Sequence, residues 1–321
     1  MSKGRRNILI GLLLFAALFF YPFHGADPIH YIERESGTVK TEKVPREFWL
    51  HWLYANPLGE ASLNLLVKRK LVSDWYGKRM DSPESAEKIA PFVEAYGIDL
   101  SEAKKQTFKS FNEFFYRELK PGARPVDTAR NVLVSPADGK IFAYSDVDKQ
   151  DFIVKGYRFN LYEYLQDSAL AAKFAGGALV IVRLCPTDYH RFHFPLSGSI
   201  QRETFISGDY YSVSPIALHR KIELLCMNKR EYVLLHNPDF GEVVISEIGA
   251  TLVGGIVQTY KSNDVFKGQE KGYFKFGGST VLMLFEKGKI LIDRDLIENT
   301  NKGIETEVKM GEKIAKLNEG I

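Results

Sequence analysis

The order of apolar and polar residues divides the chain into three textures. The first is a single apolar run from Ile8 to Phe23, in "MSKGRRNILIGLLLFAALFFYPF", preceded by Arg5 and Arg6. As a helix rising ~1.5 Å per residue the run reaches ~24 Å, a little short of the ~30 Å hydrocarbon layer, so it predicts a membrane anchor or an uncleaved signal-like segment over 1–25. "FHGADP" sets His24 two before Ala26, a poor cleavage pattern that favours the retained anchor. The basic pair leaves the membrane side of the remainder undetermined, because a spanning helix and a shallow interfacial one place it on different faces.

The second texture, 44–125, is helical, aromatic and expected to associate with membrane. "REFWLHWLY" holds Trp49 and Trp52, and "LVSDWYG" holds Trp75; such rings suit a membrane interface or a core equally. Ser82-Pro83 reads as an N-cap with proline at the first helical position, and Gly97 as a stop. Asp99 and Glu102 then predict the cap of a helix with Phe108, Phe111, Phe115 and Leu119 on one face, ended by "KPGARPV". From 126 to 321 the pattern turns to short apolar runs divided by glycine, proline and Asn/Asp turns, as in "NVLVSPADGKIFAYS", "GGALVIVRLCP" and "STVLMLFEKGKILI". These predict strands, with a helix in "NLYEYLQDSALAAKFAG". Helices followed by strands make an α+β chain: an N-terminal anchor, a helical region and a β-rich body of barrel or sandwich type.

Composition narrows the choice of partners. At 321 residues the chain can bury a substantial core. Its 43 Lys and Arg against 40 Asp and Glu give a formal charge of +3, which implies no nucleic-acid field and suits an anionic membrane surface. Cys185 and Cys226 stand far apart, in neither a disulfide framework nor a thiolate zinc pattern. No repeat, P-loop, GxGxxG or GxSxG occurs, and the Gly254-Gly255 pair is too little for a phosphate cradle.

The candidate chemistry sits in three stretches. "FGGSTVLMLF", Phe276 to Phe285, reads as a glycine turn into a buried strand, but a Gly-Ser bond is also one where the serine hydroxyl can attack an unshielded carbonyl. Ser279 would then need a base and an orienting acid. "CPTDYHRFHFP" offers His190 and His193, three apart; a strand would set them on opposite faces, whereas the prolines at either end favour a loop in which they converge. With no HExxH or cysteine pair beside them, a metal site is not expected. "VSPADGK" offers Asp138, in what is otherwise an Asp-Gly turn. Asp138, His193 and Ser279 have the composition of an acid, a base and a nucleophile.

A resemblance joins these three. "FNEFFYRELKPGARPV", "VSPADGK", "PTDYHRFHFP", "IGATLVGGIVQTY" and "KGQEKGYFKFGGSTV" occur in the order and near the spacing of the phosphatidylserine decarboxylase family, over about Phe111 to Phe285. The resemblance implies a self-processing enzyme. Ser279 would attack the Gly278 carbonyl with His193 as base and Asp138 orienting it. Elimination and hydrolysis would then leave a pyruvoyl group in place of Ser279, in two chains, 1–278 and 279–321. That group would decarboxylate phosphatidylserine to phosphatidylethanolamine and CO2 through a Schiff base, with no external cofactor. His190 would place the substrate carboxylate or protonate the carbanion. Many members carry Leu-Gly-Ser-Thr where this chain has Gly277-Gly278-Ser279-Thr280. Attachment to a cell or inner membrane is expected, and a homo-oligomer is compatible with the pattern. Two other readings use the same residues: a membrane-anchored serine hydrolase, which lacks its nucleophile elbow here, and a non-enzymatic β-rich interaction domain with the cadence of "ETEVKMGEKIAKL".

Overall fold

The apolar runs become strands in the computed structural model of the chain, which describes residues 3–19, 28–45, 47–63, 65, 70–148, 159–218, 223–250 and 255–320. Two strands precede the helical stretch, β1 (His30–Glu33) and β2 (Thr38–Thr41). After it come β3 (Val132–Val134), β4 (Gly139–Tyr144), β5 (Ala178–Leu184), β6 (Arg191–His193), β7 (Gly198–Ile206), β8 (Arg230–Asn237) and β9 (Gly241–Gly249). The remainder are β10 (Ile256–Gln258), β11 (Asp264–Val265), β12 (Glu270–Phe274), β13 (Ser279–Phe285), β14 (Ile290–Ile292), β15 (Glu305–Val308) and β16 (Lys313–Leu317).

Ten of these form one sheet in the order β11-β7-β8-β9-β13-β5-β4-β15-β1-β2, and two three-stranded sheets, β10-β12-β6 and β14-β16-β3, complete a mixed α/β fold. The barrel expected from the sequence is not closed. Closure needs the end strands to pair, but β11, of two residues, and β2, exposed at every position, stand at opposite ends of the sheet and do not pair. Part of the expected anchor is described. Lys3–Phe19 is a helix of 17 residues, and no helix among the described residues is long and apolar enough to cross a membrane. Positions 20–27, which hold the end of the apolar run and most of "FHGADP", and Gly254 lie outside the described residues.

β13 runs through the middle of the large sheet, paired with β5 on one side and β9 on the other, and is buried at every residue. Its alternation divides two cores. Leu282 and Leu284 face one that includes the helices Leu161–Leu165, Ser168–Phe174, Pro215–Leu218 and Leu224–Met227. Val281, Met283 and Phe285 face another, which takes in Phe192 and Phe274 of one small sheet and Leu133 and Ile314 of the other.

The helical stretch departs from its expected form where tertiary contacts overrule spacing. Gly97 does end the helix Ile89–Tyr96, in a left-handed conformation. The long helix after Asp99 shrinks to Phe111–Phe115. Asp99 closes a local turn on the Ser101 amide, and Ala103 bridges to Leu119, which draws the intervening backbone out of helical register. The cap is Ser110, whose Oγ accepts from the Glu113 amide while the Glu113 carboxylate accepts from the Lys109 amide. The stretch read as one helix in "NLYEYLQDSALAAKFAG" is two, broken at Gln166. Trp52 is buried, whereas Trp49 and Trp75 are exposed.

The segment after β2 is fastened to the sheet by charge. Arg183 on β5, buried, meets Glu42 at 2.6 Å and Glu305 at 2.5 Å, and the Cys185 thiol donates to Glu42. Burial alone would raise the Glu42 carboxyl, but the Arg183 charge and its hydrogen bonds outweigh it and hold the group down to about 2. A carboxyl lowered in the folded state stabilises it above the unfolded pKa near 4.5, and that contribution disappears as pH falls through about 2. Urea unfolding at stepped pH is expected to lose roughly 3 kcal/mol through this window. The Glu42→Gln variant should show a visibly shallower decline, and an unchanged slope would contradict the assignment.

Candidate active site

Ser279 opens β13, with Leu184 of β5 and Gly249 of β9 as its ladder partners. Its Oγ is buried and has no hydrogen-bond partner among the described residues, and the same holds for Thr280 Oγ1. Leaving such an atom unpaired costs ~1–3 kcal/mol, so an orphan at this position calls for a functional explanation. The glycines before it have separate roles. Gly277 lies at φ 146°, a conformation closed to residues with a side chain. Gly278 lines a cavity of about 750 Å³, where a Cβ would come within 3.2 Å of Val213. Leu184, Phe276, Leu53, Trp49 and Phe92 give that cavity its apolar walls.

The approach to Gly277 is clamped by the aromatic helix Phe111–Phe115. Phe276 packs on Phe111 and Phe115 with ring centroids 5.0 Å away in each case, and its amide donates to Asn112 Oδ1 at 2.7 Å. Asn112 is fully buried, and its Nδ2 donates to Asp81 and to the Gly77 carbonyl. Sequence reasoning passed over Asn112, although "FNEFF" belonged to the quoted pattern.

Only part of the loop expected from the flanking prolines becomes strand. Arg191–His193 is β6, held against β12, with His193 at its end and His190 in the connection just before it. His190 is fully buried, stacked on Phe115 at 3.8 Å between centroids, with Nδ1 2.9 Å from the Asp188 carbonyl and Nε2 unpartnered. His193 has Nδ1 3.0 Å from the Gly268 carbonyl and Nε2 3.1 Å from the Tyr189 hydroxyl. A carbonyl only accepts, so in both rings Nδ1 carries the proton and Nε2 the lone pair. Burial pushes His190 down to about 4 and also lowers His193. Both are therefore bases rather than cations at neutral pH.

Asp138 precedes β4, and Gly139 after it is required for close approach rather than for a turn: a Cβ there would lie 2.5 Å from the Arg183 carbonyl. The Asp138 carboxylate receives two N–H groups of Arg124, at 2.7 to 3.0 Å, and the Met310 amide at 2.9 Å. In the ladder Arg183 faces Lys140 on one side and Thr280 on the other. Asp138 and Ser279 thus flank the same end of β5, with backbones on the order of 10 Å apart at ~4.8 Å per strand. The His193 amide donates to the carbonyl of Pro136, two residues before Asp138, at 2.7 Å. Asp138 and Ser279 therefore lie at one end of the central sheet, with His193 held to the segment before Asp138, and no hydrogen bond forms among the three within the described residues.

The histidine geometry predicts its own spectrum. At pH 7, nitrogen-resolved spectra should show both rings neutral with the proton on Nδ1. His190 should charge only near pH 4; because its folded pKa lies below the ordinary 6.5, the stability of the neutral ring is full above 6.5 and lost as pH falls toward 4. A His190 ring already charged at pH 6 would contradict this environment.

Comparison with known proteins gives this geometry a family. The family model for phosphatidylserine decarboxylase matches residues 111–316. The phosphatidylserine decarboxylase proenzyme of Fusobacterium nucleatum is 55% identical over 89% of this chain and 97% of its own. Those of Clostridium novyi and Desulfitobacterium hafniense are 48% and 47% identical, again over 89% of this chain and 98% and 97% of theirs. With half of its own sequence unchanged in a full-length relative, the chain belongs to the phosphatidylserine decarboxylase family.

Proposed function

We propose that this chain cuts itself between Gly278 and Ser279 and that the matured enzyme decarboxylates phosphatidylserine to phosphatidylethanolamine and CO2. The observation that carries the reading is the buried, unpartnered Ser279 Oγ standing directly after a glycine carbonyl at the edge of a cavity. A hydroxyl held by a rigid strand beside a flexible glycine pair is positioned for attack on its neighbour rather than for packing.

In the first stage Ser279 Oγ adds to the Gly278 carbonyl and the peptide nitrogen departs, converting the amide to an ester. His193 takes the hydroxyl proton at Nε2, which the Gly268 carbonyl keeps free by fixing the proton on Nδ1. The Tyr189 hydroxyl now at that nitrogen turns aside or passes the proton on. Asp138, locked by Arg124 and the Met310 amide, steadies the imidazolium through its charge. The imidazolium returns its proton to the departing nitrogen; elimination then removes the Cα proton of residue 279 and frees the Gly278 carboxylate, and water hydrolyses the resulting dehydroalanine, by way of its imine, to a pyruvoyl group with loss of ammonia.

The pyruvoyl group left at 279 supplies an electrophilic carbonyl that serves as an electron sink for the headgroup amine. The orphaned Ser279 Oγ fits this origin, since the position has no structural hydrogen bond to lose. His190 acts in the second stage. Its Nε2 lone pair receives the proton the headgroup ammonium must shed, and the resulting imidazolium, a strong acid in its buried setting, returns a proton to the carbon that CO2 leaves. The apolar 750 Å³ cavity suits acyl chains. Exposed Leu12, Leu13, Phe48 and Trp49, the last also a cavity wall, suit association with a lipid surface.

The stages separate by mutation. Ser279→Ala is expected to leave one full-length species without activity, and Asp138→Ala and His193→Ala to accumulate uncleaved precursor on a gel. His190→Ala should still cleave while losing about 10²- to 10⁴-fold in CO2 release. Normal cleavage in the His193 variant, or a precursor block in the His190 variant, would reverse the division of labour.

A further inference from the structure

Among the described residues, the buried and partly buried arginines near the site are satisfied except one. Arg124, Arg183 and Arg191 each meet a carboxylate at 2.5 to 2.7 Å. Arg230, 1% exposed, has no carboxylate but donates to four backbone carbonyls at 2.6 to 3.0 Å. Arg117 is 7% exposed and forms no ion pair among the described residues. Its Nε is buried without a partner, and its two terminal nitrogens make only long contacts, 3.5 Å to the Phe114 carbonyl and 3.4 Å to the Thr187 carbonyl. Asp138 and Asp188 act on its charge without pairing with it, and a buried guanidinium so placed stays unfavourable until an anion pairs with it directly.

The position of this cation says which anion. Arg117 lines two cavities of about 500 and 300 Å³, the first of which also carries Lys105, Lys109 and Arg191 beside Glu113 and Glu118, and the second of which is shared with Asp138, Tyr189 and further carboxylates. It follows the Phe115 ring that stacks on His190, and Thr187 lies in the short connection from Leu184, the ladder partner of Ser279, to His190. Its charge is among those that hold His190 neutral. Resting on the decarboxylase reading above, the geometry points to Arg117 as the site that binds the phosphodiester oxyanion of the substrate headgroup.

The headgroup carries two oxyanions, and chemistry separates them. The carboxylate loses its charge as CO2 departs, so a guanidinium paired with it would stabilise the ground state over the transition state and slow the reaction. The phosphodiester keeps its charge throughout. Pairing with it is uniform binding, which lowers KM and leaves kcat alone. The planar fork of an arginine matches two phosphate oxygens at once.

The test is steady-state CO2 release from phosphatidylserine in detergent micelles by the full enzyme and its Arg117→Met and Arg117→Lys variants, with cleavage followed on a gel. Arg117→Met is expected to raise KM roughly 30-fold or more with kcat nearly unchanged, and Arg117→Lys to recover part of the loss. Inorganic phosphate should compete with phosphatidylserine in the unaltered enzyme and lose its effect in Arg117→Met. A fall in kcat at constant KM would place Arg117 at the reacting carbon and overturn the inference, as would phosphate inhibition that phosphatidylserine cannot relieve. If Arg117→Met stays uncleaved, the unaltered enzyme decides, and absence of competition by phosphate overturns the proposal. Failure of the unaltered enzyme to release CO2 would overturn the decarboxylase reading and this inference with it; normal turnover with an unchanged variant KM overturns the inference alone.

Discussion

The active site depends on the ladder that fixes β13. From Ser279 to Phe285 each residue is paired to β5 on one side and β9 on the other, and each is buried. A slip of one residue would exchange Val281 and Met283 with Leu282 and Leu284 between two separate cores, so the register has no alternative. Rigidity therefore begins at Ser279, and the freedom to bend lies just before it in Gly277 and Gly278. A scissile bond at that boundary has one partner immobilised and the other able to present its carbonyl, which is the arrangement an intramolecular attack requires.

The same sheet sustains the costs of the site. Ser279 Oγ, Thr280 Oγ1, His190 Nε2 and Arg117 Nε are all buried without partners, each a local loss that a pair of continuous apolar cores on either side of the sheet can offset. The aromatic helix Phe111–Phe115 connects several of these. One face of it clamps Phe276 before the glycine pair, Phe115 stacks on His190, and Arg117 leaves from its end. The side chains proposed for maturation and for substrate chemistry thus share a scaffold, with His190 just before β6 and His193 at its end.

Local pattern revealed the pieces whose cause is local. The apolar run after Ser279 marked a buried strand, Gly97 marked a helix end, and the Gly-Ser pair marked the candidate nucleophile. What it could not reveal depends on distant partners. Phe108, Phe111, Phe115 and Leu119 have helical spacing, but the bridge from Ala103 to Leu119 leaves only five residues helical. Pro186 and Pro195 suggested a loop around the histidines, yet pairing with β12 makes a strand of Arg191–His193. The tryptophans divided between the two readings open to them, Trp52 in the interior and Trp49 and Trp75 on the surface. Barrel closure was undecidable from strand count alone because it turns on whether edge strands meet, and here they do not. Asn112 and Arg117 looked like ordinary polar positions, and only burial without an ion pair among the described residues gives Arg117 meaning.

The central claim is that Ser279 is both the cleaving nucleophile and the source of the reactive carbonyl. Intact mass spectrometry of the purified enzyme tests it most directly. The account predicts a small chain beginning at position 279 whose first residue has lost its amine and carries a ketone, beside a large chain ending in the Gly278 carboxylate. A small chain that keeps a free Ser279 amine, or an active enzyme found only at full length, would contradict it.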